Sequence, residues 1–329
     1  MQRAAETGAD PALMAYACEA RGRTFLVAGH PDTCEKVYEK GLAFARESGD
    51  KKAEAFILRN IGLKRMFSGT QMEESREKYE SALALLEELG DKACAASLIG
   101  DLGCYWLARR ELERAVALLE KARRANREVG NQLLEGLALT NLGIIYQEMA
   151  RFDQAESRFV QAIALGKEIG DRRLHGFSLG YLGCLFQEAG RFTEAIDSYR
   201  GAMVFFKKIG ERSYYGFFLA ALGSCLACTG SLEKAESAFA SLDPWRIETI
   251  SPPFAQAEKL HFGLYETCRA IRFSQTSCRG KAASSARLAR SIFKEGKEGS
   301  LESEDVRFAL RLLAKAIKAL PKQLGRKQL

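Results

Sequence analysis

Five residue pairs, Gly49-Asp50, Gly90-Asp91, Gly130-Asn131, Gly170-Asp171 and Gly210-Glu211, recur along the chain at steps of 41, 40, 40 and 40 residues. A fixed period of that length means a repeat array, in which each unit buries its apolar side chains against its neighbours. Other small residues keep the same step. Gly22, Gly62, Gly103, Gly143, Gly183 and Gly223 form one set; Cys34, Ser75, Ala115, Ala155, Ala195 and Ala235 form a second; Gly41, Ala82, Ala122, Ala162 and Ala202 form a third.

Within one period, residues 131–170, Leu139, Leu142 and Tyr146 and then Phe159, Ile163 and Leu165 fall at roughly helical spacing, with no strand-like alternation between them. The period reads as two helices joined by a tight turn at 149–153, with 190–193 as its counterpart one unit on. Gly170 is placed to end the second helix in the left-handed conformation, and Asp171 to cap the next helix. A glycine in mid-helix costs about 1 kcal/mol relative to alanine, so its return in unit after unit demands an offsetting gain. Close approach of two helix backbones supplies it. Gly143 and Ala155 lack bulk where the paired helices meet, Ala162 does the same toward the following unit, and Leu142, Tyr146 and Phe159 fill the remaining space.

The pattern Leu-x-x-Leu-Gly-x-x-Tyr, followed by Ala, Phe and Ala, resembles the tetratricopeptide repeat. Leu139, Leu142, Gly143, Tyr146, Ala155, Phe159 and Ala162 carry it in one unit. Leu179, Leu182, Gly183, Phe186, Ala195, Tyr199 and Ala202 carry it in the next, and Ile99, Leu102, Gly103, Trp106, Ala115, Leu119 and Ala122 in the one before. The resemblance covers about residues 12–243. It departs from the family in a period longer than the usual ~34 residues, in lacking a proline at the end of the unit, and in Arg65, which stands where an aromatic is expected. This longer variant is similar to the repeat regions of bacterial signalling regulators and Ser/Thr kinases, and the 303–313 segment is similar to their distal ends. The fold this implies is all-α: a right-handed α-solenoid of about six helix pairs over residues 1–243, then a basic helical C-terminal cap over 244–329.

Composition agrees, with 47% hydrophobic residues and only six prolines. No apolar run reaches membrane-spanning length and no charged-then-apolar leader follows Met1, so a cytoplasmic protein is expected. The nine cysteines mostly sit where the repeat wants a small or apolar side chain, and read as packing residues in a reducing compartment. Cys225-x-x-Cys228 falls on a helix with no second pair at ligand spacing, and His30, His175 and His261 lie in different units, so no metal site is expected. Phosphate loops, a nucleophile elbow, a zincin motif and the kinase loop set are all missing from the sequence. The chain therefore reads as a non-enzyme with no cofactor.

Charge is unevenly placed. Residues 244–329 hold 17 Lys and Arg against 8 Asp and Glu, a net of +9, which leaves −2 of the overall +7 for residues 1–243. The repeat period is expected to stop at Asp243-Pro244 and Ser251-Pro252-Pro253. Helices are expected beyond it at 254–271, 281–294 and 302–320, with a flexible joint at 296–300. On the last of these, Val306, Ala309, Leu310, Leu313, Ile317 and Leu320 share one face, while Arg307, Arg311, Lys315, Lys318 and Lys322 form a basic stripe. Two readings of the stripe stand open: the polar outer face of a capping helix, or a contact for an anionic surface. Without aromatic interleaving or a nucleic-acid motif, neither nucleic acid nor membrane is the expected partner.

In the tetratricopeptide family the first helix of each pair lines a concave face, and the resemblance carries that role to the residues around the recurring glycine. These are Asn60, Asp101, Asn141 and Tyr181 two positions before it, Arg59 three before, Phe177 six before, Ile144 one after, and Gln147 and Gln187 four after. An asparagine can donate to and accept from an extended peptide backbone at once, which suits Asn60 and Asn141 to that task; bonding within the helix pair or to water is the alternative. Arg59 beside Asp101 argues against the family's clamp for terminal carboxylates. The expected function is a scaffold that binds a peptide or protein segment in this groove. The alternative is a sensory module of a bacterial signalling or transcription regulator, binding a small molecule or signal peptide.

Overall fold

The computed structural model describes residues 10–27, 30–68, 72–242, 252–275, 279–298 and 304–318. Among these residues the chain is all-α, with fifteen helices and no strand. The helices are α1 (Pro11–Val27), α2 (Pro31–Ser48), α3 (Lys51–Ser68), α4 (Met72–Glu88), α5 (Lys92–Ala108), α6 (Leu112–Glu128), α7 (Gln132–Glu148), α8 (Phe152–Glu168), α9 (Arg172–Glu188), α10 (Phe192–Ile209), α11 (Arg212–Cys228), α12 (Leu232–Ala240), α13 (Pro252–Gln275), α14 (Arg279–Glu298) and α15 (Glu304–Lys318). Two compact units, Met1–Ile145 and Tyr146–Leu329, divide inside α7. Within the second of these, α13 packs on α11, and α14 and α15 pack on α13.

The period follows from helix length: helices of 17 residues such as α8 and α9, joined by three-residue links, return the chain to the same place every 40 residues. Each periodic Gly-Asp pair punctuates as its chemistry requires. Gly49, Gly90, Gly130, Gly170 and Gly210 all have φ between 65° and 72°, the left-handed region that glycine enters without steric cost. At Gly90 the terminating bonds run from its N–H to the Glu87 carbonyl and from the Asp91 N–H to the Leu86 carbonyl. The following side chain then caps the next helix. Asp50 accepts from the Ala53 N–H at 2.9 Å, Asp91 from Cys94 at 3.0 Å, Asn131 from Leu134 at 3.2 Å, Asp171 from Leu174 at 2.7 Å and Glu211 from Ser213 at 3.1 Å. Such a cap is worth about 1 kcal/mol.

In the first unit α1 packs on α2, α3 on α4 and α5 on α6, with α2 on α3 and α4 on α5 linking the pairs. Gly62 faces Tyr79, where an added Cβ would lie 2.9 Å from the ring, and Gly103 faces Leu119 at 2.7 Å. The second-helix small residues Cys34, Ser75, Ala82, Ala115 and Ala122 are fully buried. Ser75 keeps its hydroxyl satisfied by donating to the Gly62 carbonyl at 2.7 Å. Arg65, at the aromatic position, is held by Glu74 at 2.5 Å and Glu35 at 3.5 Å, so charge pairing replaces ring packing.

In the second unit α9 packs on α10, α11 on α12, and α13 on α14. Gly183 faces Tyr199 and Gly223 faces Phe239, where an added Cβ would lie 2.8 Å from the ring in each case. The expectation that the period stops after residue 243 needs correction. Gly263 lies one further step of 40 beyond Gly223, in the middle of α13, and packs against Ile292 of α14 and Leu313 of α15. What changes is the second helix: α12 has only nine residues, so the flank of α11 stays open and α13 packs directly on it. The helices expected in the tail correspond to α13, α14 and α15, and α14 runs on to Glu298 through part of the proposed joint. Residues 243–251, 299–303 and 319–329, which include Pro244, Leu320 and Lys322, lie outside the described residues.

Candidate functional site

The positions around each first-helix glycine form ladders, one rung per repeat. In the first unit Arg59 Nε donates to Asp101 Oδ2 at 2.5 Å, and both side chains stay part-exposed on neighbouring helices α3 and α5. Asn60 is nearly buried, and its amide donates to Glu19 Oε1 at 2.7 Å. Asn141 is part-exposed and donates to Cys104 Sγ at 3.2 Å, a weak acceptor. Ile144 is buried.

In the second unit the corresponding positions are closed over. Gln187, 2% exposed, donates to Ser224 Oγ at 2.8 Å and accepts from the Tyr199 hydroxyl at 2.7 Å. Ser224 Oγ in turn lies 3.0 Å from His261 Nδ1, so a buried polar chain crosses α10, α9, α11 and α13. Full burial, with no charged partner, pushes the His261 pKa down to about 3 and keeps the ring neutral. The rings of Phe217 and of Phe308 on α15 lie 5.7 Å and 5.8 Å from the imidazole, centroid to centroid. Tyr181 is buried among Phe159, Phe177 and Phe218, and Phe177 is half-buried with Tyr214 edge-on at 4.1 Å and the Arg173 guanidinium 5.8 Å from its ring centroid.

Gln147 donates to Glu188 Oε2 at 2.8 Å, and this carboxylate leads to the basic stripe. Arg311 reaches from α15 with Nη1 on Glu148 Oε1 at 2.7 Å, Nε on Glu188 Oε1 at 2.8 Å and Nη2 on Glu188 Oε2 at 3.2 Å. Arg307 lies 3.8 Å from Glu148. Two members of the stripe therefore turn toward carboxylates of the chain itself, while Lys315 and Lys318 face solvent. Glu148 and Glu188 escaped the sequence reading, although their separation of 40 residues, five positions after Gly143 and Gly183, was available to find them. Among the described residues, no three His, Cys, Asp or Glu side chains gather as a metal would require, and no helix is long and apolar enough to cross a membrane.

The family model for the tetratricopeptide repeat matches residues 103–168 and 134–208. The matched residues, 103–208, are tetratricopeptide repeats. No curated protein sequence matches the chain significantly. Among solved structures, the chain is similar to aspartyl phosphate phosphatase F from Bacillus subtilis, with 15% identity, a TM-score of 0.64, and coverage of 89% of this chain and 72% of that one. It is similar to the apo form of RapI, with 15% identity and a TM-score of 0.62 over 87% of this chain and 99% of the other. A STAND protein from Pyrococcus horikoshii with a tetratricopeptide repeat sensor superposes with a TM-score of 0.67 and 17% identity over 89% of this chain, which spans 44% of that protein. At such identities the likeness is one of fold.

Proposed function

We propose that this protein is a non-catalytic interaction scaffold that takes a peptide or protein segment on the first helices of its repeat pairs in the first unit, with residues 244–329 serving as the cap of the array. One observation supports the placement. Arg59, Leu63, Met66, Asp101, Cys104 and Asn141 stay part-exposed beside their glycines, with Asn60, Leu107 and Ile144 buried among them, whereas Cys184, Gln187, Ser224 and Ala227 at matching positions in the second unit are all buried. The Arg59–Asp101 pair and the Asn141 amide offer donors and acceptors to an extended backbone, and Leu63 and Met66, on the same helix as Arg59, offer apolar contact beside them.

The test selects peptides from a random library on the full chain and measures their affinity by fluorescence anisotropy. Arg59→Ala combined with Asn141→Ala weakens binding at least about tenfold, roughly 1.4 kcal/mol, while Lys121→Ala with Arg124→Ala, on the exposed side of α6, leaves it unchanged. The reverse pattern would refute the assignment. A sensory role is the second reading, prompted by the shared fold with a protein described as carrying a tetratricopeptide repeat sensor. A rise in melting temperature with a small ligand that does not compete with the selected peptides would favour it.

A further inference from the structure

Five residues after each first-helix glycine, the ladder of the second unit reads Glu148, Glu188, Cys228, Cys268. Arg311 joins the first two rungs. The last two meet directly: Cys228 Sγ on α11 and Cys268 Sγ on α13 are 3.7 Å apart, and both are free thiols. Both residues are part-exposed, within reach of a small oxidant, whereas the neighbouring Cys225 is fully buried and Cys184 is 2% exposed.

We propose that Cys228 and Cys268 form a modification site at which a peroxide converts two thiols into a disulfide, fastening α13 to α11. A disulfide needs its sulfurs about 2 Å apart, which side-chain rotation on two helices already in contact supplies. The Cys228 thiolate attacks one oxygen of hydrogen peroxide; the O–O bond breaks, hydroxide leaves and is protonated to water, and Cys228 becomes a sulfenic acid. The Cys268 sulfur, giving up its proton, then attacks the Cys228 sulfur; the S–O bond breaks and the second oxygen departs as water. Two thiols and one peroxide thus yield one disulfide and two waters. Either thiol can donate to the other, so the hydrogen bond stabilises whichever sulfur loses its proton first, written here as Cys228. Because α14 and α15 both pack on α13, the bond would hold all three helices in place over the Glu148–Glu188 rungs.

The full chain is treated with stoichiometric hydrogen peroxide and its thiols are titrated in denaturant. Titratable thiols fall from nine to seven, the intact mass drops by the two hydrogens lost, and a proteolytic map shows the Cys228 peptide joined to the Cys268 peptide. Cys228→Ser and Cys268→Ser each abolish the joined peptide, and hydrogen exchange of α13 slows on oxidation of the natural chain only. Retention of all nine thiols, a joined peptide from any other pair, or accumulation of sulfinic acid at either residue would overturn the proposal.

Discussion

Helix α5 contains two glycines three residues apart, and the same substitution at each should move stability in opposite directions. At Gly100 an added Cβ would meet only the Ala122 Cβ, at 3.8 Å, an ordinary van der Waals contact. At Gly103 it would lie 2.7 Å from Leu119 Cγ, 2.9 Å from Cδ2 and 3.4 Å from the Leu119 backbone nitrogen. Leu119 is 1% exposed and cannot swing aside without displacing its own neighbours. Alanine gains about 0.8–1 kcal/mol over glycine in a helix interior, so Gly100→Ala should stabilise by roughly that amount. Overpacking a filled site costs about 1–3 kcal/mol, so at Gly103 the same gain is outweighed and the net is a loss of about 1 kcal/mol. The two variants should therefore differ by about 2 kcal/mol. Urea titration followed by helical circular dichroism reads the difference as a shift in midpoint at constant slope, and exchange of the α5 amides localises it. If Gly103→Ala proved as stable as Gly100→Ala, close helix approach would not be the reason glycine recurs at this position.

The turn between α7 and α8 holds Ala150 at φ 57°, where the matching turns use Gly190 and Gly230. Ala150→Gly should stabilise by about 0.5–1 kcal/mol and Gly190→Ala destabilise by a similar amount, since a non-glycine residue in the left-handed region costs about 1–2 kcal/mol and glycine returns part of that as unfolded-chain entropy; thermal unfolding of both variants checks the sign. His261 binds its proton only near pH 3 in the folded chain but near 6.5 once unfolded, so the unfolded state takes up more protons as pH falls through 6.5. Stability should then decline by about 2 kcal/mol between pH 7 and pH 5 from this residue alone. His261→Gln should remove that share of the slope in urea titrations at the two pH values. Arg311→Ala leaves Glu148, whose side chain is 4% exposed, without its main counter-charge. A loss of about 2–3 kcal/mol is expected, less than for a fully buried pair because Arg311 is itself part-exposed, and Glu148→Gln with Glu188→Gln in the same chain should recover part of it.

Local chemistry made most of the repeat legible. A left-handed glycine, the cap that follows it and the small residue at a helix crossing each act through near neighbours, so Gly170, Asp171 and Ala155 announce their roles by type and spacing. The tail was read less well for the same reason. Gly263 keeps the step, but its packing partners Ile292 and Leu313 are 29 and 50 residues away, not in a second helix close behind. Among the residues expected in a partner groove, Arg59 beside Asp101 could be anticipated from the ladder. The engagement of Gln187 with Ser224 could not, because it depends on how closely α9 and α11 approach.

The amino-acid order by itself determined the period, the helix ends and which side chains must be small, because these are properties of a chain segment and its immediate neighbours. Tertiary structure alone decided what lies over the ladders of the second unit. The short α12 admits α13 onto α11, which brings Cys228 to Cys268 and Ser224 to His261, and places Arg311 on carboxylates 123 and 163 residues before it. Those meetings follow from the space that one truncated helix leaves open, and no repeating spacing encodes that space.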